Sequence, residues 1–218
     1  MSDNHYSLLR KRLVEEYVKP AGVTDRRILN AVATVPRHAF VPRQFRKDAY
    51  RDIPLPIGNG QTISQPSLVA LMTQYLLLQR DTTVLEIGTG SGYQAAILSL
   101  LAKKVYTIER ITTLAKRALR NLKKLTYSNV EVIAANGTLG LPEKAPFDGI
   151  IVTAGAPEIP QTLIDQLKEG GHVVIPVGRS QMDQQLLVGV KKKGKLTTKI
   201  VELVRFVPLI GEKGWQTD

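Results

Sequence analysis

Thr83-Val84-Leu85-Glu86-Ile87-Gly88-Thr89-Gly90-Ser91-Gly92-Tyr93 is the stretch on which the fold turns. Its first five residues form a short apolar run with one carboxylate, which reads as a buried strand. Three alternating glycines follow, and residues 95–101 then read as a helix. Strand, glycine loop and helix in this order make a unit of an open α/β sheet, whose ligands sit at the carboxyl ends of the strands. Without side chains, Gly88, Gly90 and Gly92 let a ligand approach the backbone, although a tight structural turn asks for the same glycines. The spacing also sorts ligands. A dinucleotide loop needs Gly-x-Gly-x-x-Gly, and here Tyr93 fills the last glycine's place; no Gly-Lys-Ser/Thr closes the loop either. A ligand without phosphates therefore fits better than NAD or ATP.

The rhythm continues downstream. Strands are predicted at 105–108, 130–133, 149–152 and 173–175, with helices at 112–124 and 160–168 between them. Two late strands at 185–190 and 198–207 join around 191–195, where Gly194 supports a turn, as an antiparallel addition. The predicted fold class is α/β: Rossmann-like, with a mostly parallel central sheet, a late antiparallel addition and an N-terminal helical wrapper. Upstream, a helix is predicted at 5–19 on the Leu9, Leu13, Tyr17 stripe, and another at 25–34 with Ile28, Leu29 and Val32 on its apolar face. The breaker-rich 40–56 stretch suits a turn-rich wrapper, and 58–66 an ordered loop. Ser67 is expected to cap a helix that buries Leu68, Leu71, Met72 and Tyr75. Residues 1–78 thus read as a wrapper on a 79–218 core, the two forming one integrated domain.

Glu109 closes the second strand of the core. A carboxylate there can accept hydrogen bonds from both ribose hydroxyls of an adenosine, or it can be a solvated strand end paired with Arg110. Glu86 is expected to orient the glycine loop and to lie near a ligand ammonium group.

Composition narrows the chemistry. The chain has no cysteine, which excludes disulfides, thiol nucleophiles and thiolate metal sites. His5, His38 and His172 are its only imidazoles, and no HExxH pattern joins them, so no metal is expected. The formal charge of +11 suits nucleic acid, an anionic surface or acidic protein segments. Yet the basic residues are scattered through 10–12, 43–47, 116–124 and 191–193, and no zinc-finger spacing or stacking-aromatic motif accompanies them. The N-terminus lacks a signal-peptide arrangement, and no apolar run approaches membrane-spanning length, so a cytoplasmic protein without a membrane partner is expected.

Several motifs together resemble the protein-L-isoaspartate O-methyltransferase family. They are Val35-Pro36-Arg37-x-x-Phe40-Val41, Pro56-Ile57-Gly58-x-Gly60-Gln61-Thr62-Ile63-Ser64-Gln65-Pro66 and Val84-Leu85-Glu86-Ile87-Gly88-Thr89-Gly90-Ser91-Gly92-Tyr93-Gln94. Ile108-Glu109-Arg110, Pro146-Phe147-Asp148 and Arg205-Phe206-Val207-Pro208-Leu209 follow in order, so the likeness spans nearly the whole chain. The resemblance implies methyl transfer from S-adenosyl-L-methionine, leaving S-adenosyl-L-homocysteine, to the free carboxylate of L-isoaspartyl residues and in some members of D-aspartyl residues. The ester then collapses to a succinimide, which starts repair of the damaged protein or peptide. It also implies a cytoplasmic monomer with no stable nucleic-acid partner.

Carried over by position, the resemblance makes Ser64 the catalytic residue. Gln61, Thr62, Ile63 and Ser64 join Glu86, Gly88, Thr89, Gly90, Ser91, Gly92, Glu109, Arg110, Asn136 and Gly137 in holding the cofactor. Ile57, Gly58, Ser64, Val207, Pro208 and Leu209 are the matching substrate positions. One position departs from the pattern: the family often has Gly-Asp-Gly where this chain has Ala135-Asn136-Gly137. Asn136 is expected to offer its carbonyl oxygen to the adenine amino group instead. Nucleic-acid methylation, tailoring of another peptide carboxylate and a noncatalytic binding role remain alternatives. No Asn-Pro-Pro-Tyr/Phe motif supports the first.

Overall fold

A computed structural model describes residues 3–180 and 182–216. Parallel strands β3 (Thr83–Ile87), β4 (Lys104–Glu109), β5 (Val130–Ala134), β6 (Phe147–Val152) and the first part of β7 (Leu167–Val177) form one sheet with the antiparallel β8 (Gln184–Lys192) and β9 (Lys195–Val204). Its order is β5-β4-β3-β6-β7-β8-β9, so the chain reverses direction across the sheet between β3 and β6. Such a switch point opens a crevice at the strands' carboxyl ends. The glycine loop leaves β3 there, and Glu109 ends the neighbouring β4.

Burial of the sheet on both faces follows from its sequence. Val84, Ile151 and Val174 pack into one apolar cluster, while their neighbours Leu85, Ile150 and Val173 pack into the other. Successive strand residues point to opposite faces, so continuous apolar runs need cover on both sides. The first face is covered by α1 (Asp3–Leu13), α2 (Arg26–Thr34), α3 (Pro66–Tyr75) and α4 (Tyr93–Ser99), through residues such as Leu13, Ile28, Met72 and Ile97. Leu141, Leu163 and Leu209 cover the second. α5 (Thr112–Lys124) buries Leu114, Ala118 and Leu122 behind β4, and α6 (Gln161–Asp165) is a short turn of helix. Among the described residues no helix is long and apolar enough to cross a membrane.

The elements differ from expectation in a few places. The first helix widens into a π-helical segment at Val14–Val18, closed by Lys19 N–H to the Val14 carbonyl at 3.0 Å. An i→i+5 turn rotates the apolar stripe. Val14 and Val18 take the buried positions, and Tyr17, expected inside, is 42% exposed. Asp25 caps α2 by accepting the Arg27 amide, but Ser67 caps nothing. Pro66 already opens α3, so Ser67 lies inside the helix and gives its amide and hydroxyl to Asp52 at 2.8 and 2.6 Å. The buried face of α3 is accordingly rotated to Val69, Ala70, Met72 and Thr73, with Leu68, Leu71 and Tyr75 half-buried.

Two further boundaries move. The helix expected at 160–168 stops at Asp165 because Leu167 already pairs with Phe147. The last strand ends at Val204, and residues 205–210 turn away across the sheet's carboxyl edge toward Gly155. The loop expected at 58–66 is partly a hairpin: β1 (Leu55–Gly58) pairs antiparallel with β2 (Gln61–Ile63) around Asn59-Gly60.

Candidate functional site

At the switch point a cleft of about 250 Å³ opens. The glycine loop forms its floor. Gly88 has a φ of +100°, and a Cβ there would strike the Thr153 hydroxyl, so neither conformation nor space admits another residue. Thr153 donates to the Gly88 carbonyl at 2.6 Å and itself lines the cleft. Thr89 and Thr107 join their hydroxyls at 2.6 Å beneath the loop.

Glu109 is 6% exposed and held from two sides. Its Oε2 accepts the Gly90 amide and its Oε1 the Ile111 amide, both at 2.8 Å. These bonds, rather than one to Arg110, fix the carboxylate, and each oxygen keeps a lone pair for a ligand. Arg110 stands exposed at the rim. Beyond Glu109 lies a narrow apolar slot among Ile108, Gly137 and Leu209, and a Cβ on Gly137 would collide with Ile87.

The opposite wall is Gln61, Thr62, Ile63 and Ser64, and 207–210 close the remaining side. The second wall is stitched down by Gly155 N–H to the Val207 carbonyl at 2.8 Å, and by Trp215 Nε1 to the Gly155 carbonyl at 3.0 Å. The cleft therefore brings together Gln61, Thr62, Ile63, Ser64, Gly88, Thr89, Gly90, Ser91, Glu109, Arg110, Gly137, Val207, Pro208 and Leu209.

Five other residues expected at the site do not line it. Glu86 is fully buried behind the loop and is not part of the cleft lining. Neither of its carboxylate oxygens has a hydrogen-bond partner of good geometry among the described residues. Burial, with the negative Glu109 nearby, pushes its carboxyl up to about 8, and the adjacent Thr107 hydroxyl eases this only in part. Gly92 packs against Leu122 and Ala118 of α5, so its missing side chain serves helix packing. Asn136 spends its carbonyl oxygen on the Thr138 amide and hydroxyl at 3.1 and 2.8 Å, which removes the free acceptor expected for adenine. Ile57 is buried beneath Gly90, and Gly58 is exposed beside Arg117, so both sit outside the cleft wall.

Two residues with evident work at the site went without a role in the sequence reading. Thr153 carried no signal beyond its place at a strand end. Arg37 carried one, since a lone arginine between Pro36 and an apolar stretch has no acidic neighbour at helical spacing.

The groups on the cleft wall fit S-adenosyl-L-methionine. Glu109 is a rigid acceptor pair for ribose hydroxyls, the slot at Gly137 suits a flat base, and the glycine loop can approach the amino-acid part. No lysine lines the cleft, as a phosphate-binding loop would want.

Comparison with known proteins agrees. Residues 9–214 match the family model described as protein-L-isoaspartate (D-aspartate) O-methyltransferase. The protein-L-isoaspartate O-methyltransferase 1 of Syntrophobacter fumaroxidans is 51% identical over 97% of this chain and 99% of its own length. The protein-L-isoaspartate O-methyltransferase of Geobacter metallireducens is 52% identical over 98% of this chain and 99% of its own. A solved protein-L-isoaspartate O-methyltransferase structure superposes with a TM-score of 0.85 at 34% identity, over 94% of this chain and 67% of that one. A Plasmodium falciparum structure assigned to the same activity, in complex with S-adenosyl-L-homocysteine, gives 0.80 at 28% identity, over 92% and 98%. The chain belongs to the protein-L-isoaspartate (D-aspartate) O-methyltransferase family.

Proposed function

We propose that this enzyme transfers the methyl group of S-adenosyl-L-methionine to the free carboxylate of L-isoaspartyl residues in damaged proteins, and of D-aspartyl residues where these fit. The observation that carries this reading is that one cleft of about 250 Å³ is lined together by the Ser64 loop, the glycine loop, Glu109 and 207–209. We further propose that it acts as a cytoplasmic monomer without a stable nucleic-acid partner. Both the oligomeric state and the place of action rest on the family resemblance.

When bound, S-adenosyl-L-methionine supplies an electrophilic methyl group on a sulfonium. Glu109 would hold the ribose hydroxyls and the cleft beside Gly137 would take the base. Ser64 donates its hydroxyl to the acceptor carboxylate, and Thr62, Ile63 and 207–209 shape the space around it. No general base is needed, because a carboxyl group with an ordinary value of about 4 is already ionised near neutrality. Alignment and exclusion of water are the main tasks left to the protein. Spontaneous closure of the ester to a succinimide then begins repair.

The test uses labelled S-adenosyl-L-methionine and paired peptides with L-isoaspartyl or L-aspartyl at one position. Base-labile label is expected only on the isoaspartyl member. Ser64→Ala should lower kcat/KM by about 10- to 100-fold, the loss of one hydrogen bond to a charged group. Equal labelling of both peptides, or label on nucleic acid alone, would defeat the assignment.

A further inference from the structure

The least expected group near the cleft is the side chain of Arg37, which is 0% exposed. It opens the short 3-10 turn Arg37–Ala39 and runs inward beneath the acceptor loop. Its Nη1 donates to the Ala49 carbonyl at 2.6 Å, and its Nη2 donates to the Ile53 carbonyl at 3.1 Å and the Ser64 carbonyl at 3.0 Å. All three acceptors are neutral. Asp52 is near enough to favour the charge, yet it forms no ion pair with Arg37 and its oxygens each accept a bond from Ser67. The guanidinium carbon lies 5.8 Å from the centre of the Tyr93 ring, and Nε has no acceptor among the described residues.

A buried cation without a bonded counter-ion is a costly choice for a core that simply needs filling. What the guanidinium does there is geometric. The three carbonyls belong to the end of the 3-10 segment Arg43–Asp48, the entry to β1 and the acceptor loop, well apart in the sequence. A planar fork with donors on two terminal nitrogens can hold all three, whereas a lysine has one nitrogen to offer. Fixing the Ser64 carbonyl sets the peptide plane between Ser64 and Gln65. Asp52 fixes the loop again three residues on, at Ser67. With Ile63 paired to Leu55 on one side and the Ser64 carbonyl and Ser67 amide held on the other, the directions open to the Ser64 Cα–Cβ bond, and the arc its hydroxyl can reach, are narrowed.

We propose that Arg37 is a positioning residue for the acceptor carboxylate, acting through the Ser64 backbone to hold the Ser64 hydroxyl on the acceptor side of the cleft. This rests on the reading of Ser64 given above. The glycine loop and Glu109 are held separately, by Thr153, Thr107 and the amides on Glu109, so although 61–64 also border the cofactor, loss of Arg37 should be felt more by the peptide than by the cofactor. A residue that merely filled the core would disturb both alike.

The test takes the full-length Arg37→Lys and Arg37→Gln variants and reads three quantities. Hydrogen exchange should rise in 61–69 of either variant and stay unchanged in 86–93. The kcat/KM for an isoaspartyl peptide should fall at least about tenfold in Arg37→Gln, with partial recovery in Arg37→Lys, because misplacing a reacting group by about 1 Å costs on that scale. The Kd of S-adenosyl-L-homocysteine should weaken several-fold less than kcat/KM falls. Unchanged exchange in 61–69, or a Kd that weakens in step with kcat/KM, would overturn the proposal. So would failure of both variants to fold, which would make Arg37 a core residue first. If the wild type itself fails to methylate the peptide, the assigned reaction is wrong, and the exchange experiment still decides whether Arg37 holds the loop.

Discussion

Glu86 and Glu109 sit on adjacent strands of the same sheet and meet opposite fates. Glu109 reaches the strand end, where two amides offer their protons. Glu86 lies between Leu85 and Ile87, whose side chains both join the second apolar cluster, so the strand's alternation turns it to the other face. There it meets no donor of good geometry, and the neighbouring Thr107 hydroxyl, which also bonds Thr89, offsets the burial only in part. The sequence made Glu109 legible because its place at a strand end is itself the signal. It made Glu86 look like a ligand group only because the glycines follow so closely. The pH consequence has a definite sign. Burial raises this carboxyl to about 8 in the folded state, while the unfolded chain titrates near the ordinary value of about 4.3. Between those values the folded state holds a proton that the unfolded chain has released, so stability falls as pH rises through the interval. Glu86→Gln removes the titration. We expect it to stabilise the protein at about pH 8.5 by a few kcal/mol relative to its effect at about pH 4.5, read from urea unfolding at the two values. The same difference between variant and wild type at both would show that Glu86 stays ionised.

At the level of elements, the hairpin is where sequence reading fell shortest and where the site depends on it most. β1 contains Pro56 and Gly58, and β2 is three residues long, so neither shows a strand's periodicity. The missed signal was Asn59-Gly60, whose φ values of +53° and +70° are those of a type I′ turn, the one that best matches strand twist. Helix faces failed for related reasons: the π-helical segment shifted one, and Pro66 moved the start of another. The central strands were legible because burial on both faces makes each a short, nearly continuous apolar run. The hairpin does not stand alone. Arg117 of α5 donates to the Ile57 carbonyl, and Asn59 Nδ2 reaches the Thr113 hydroxyl at 3.4 Å. One helix thus braces the strand that leads into the acceptor loop and also flanks the glycine loop through Gly92. Arg117→Met keeps most of the aliphatic stem and removes the donor. It should cost about 1 kcal/mol of stability, measured by denaturant unfolding, and raise the peptide KM several-fold. An unchanged KM would mean the hairpin is held well enough without it.

Over the whole molecule, wrapper and sheet share one apolar interior. Leu13, Val32 and Phe40 lie in the same cluster as Val84, Val105 and Ile151. Phe40 meets Tyr93 edge-on at 5.8 Å, one residue beyond the glycine loop. Arg37 ties the acceptor loop to the rest of the wrapper, and the C-terminal segment is fastened to Gly155 beside the cleft through Trp215. Neither part can leave without exposing the other's core, so a chain of this arrangement should unfold as one unit, although its length exceeds that of most two-state domains. A ligand that binds only the assembled cleft should stabilise wrapper and core together. At about 100 times its Kd, S-adenosyl-L-homocysteine should add about 2.7 kcal/mol, which for a chain of this size raises Tm by about 5–10 °C. Calorimetry should show one transition without ligand and one with it, moved as a whole. A lower-temperature transition that the ligand leaves in place would make residues 1–78 a separately melting layer. The acceptor wall would then be able to loosen while the cofactor wall stayed folded, and the Ser64 loop, not cofactor affinity, would set the upper working temperature of the enzyme.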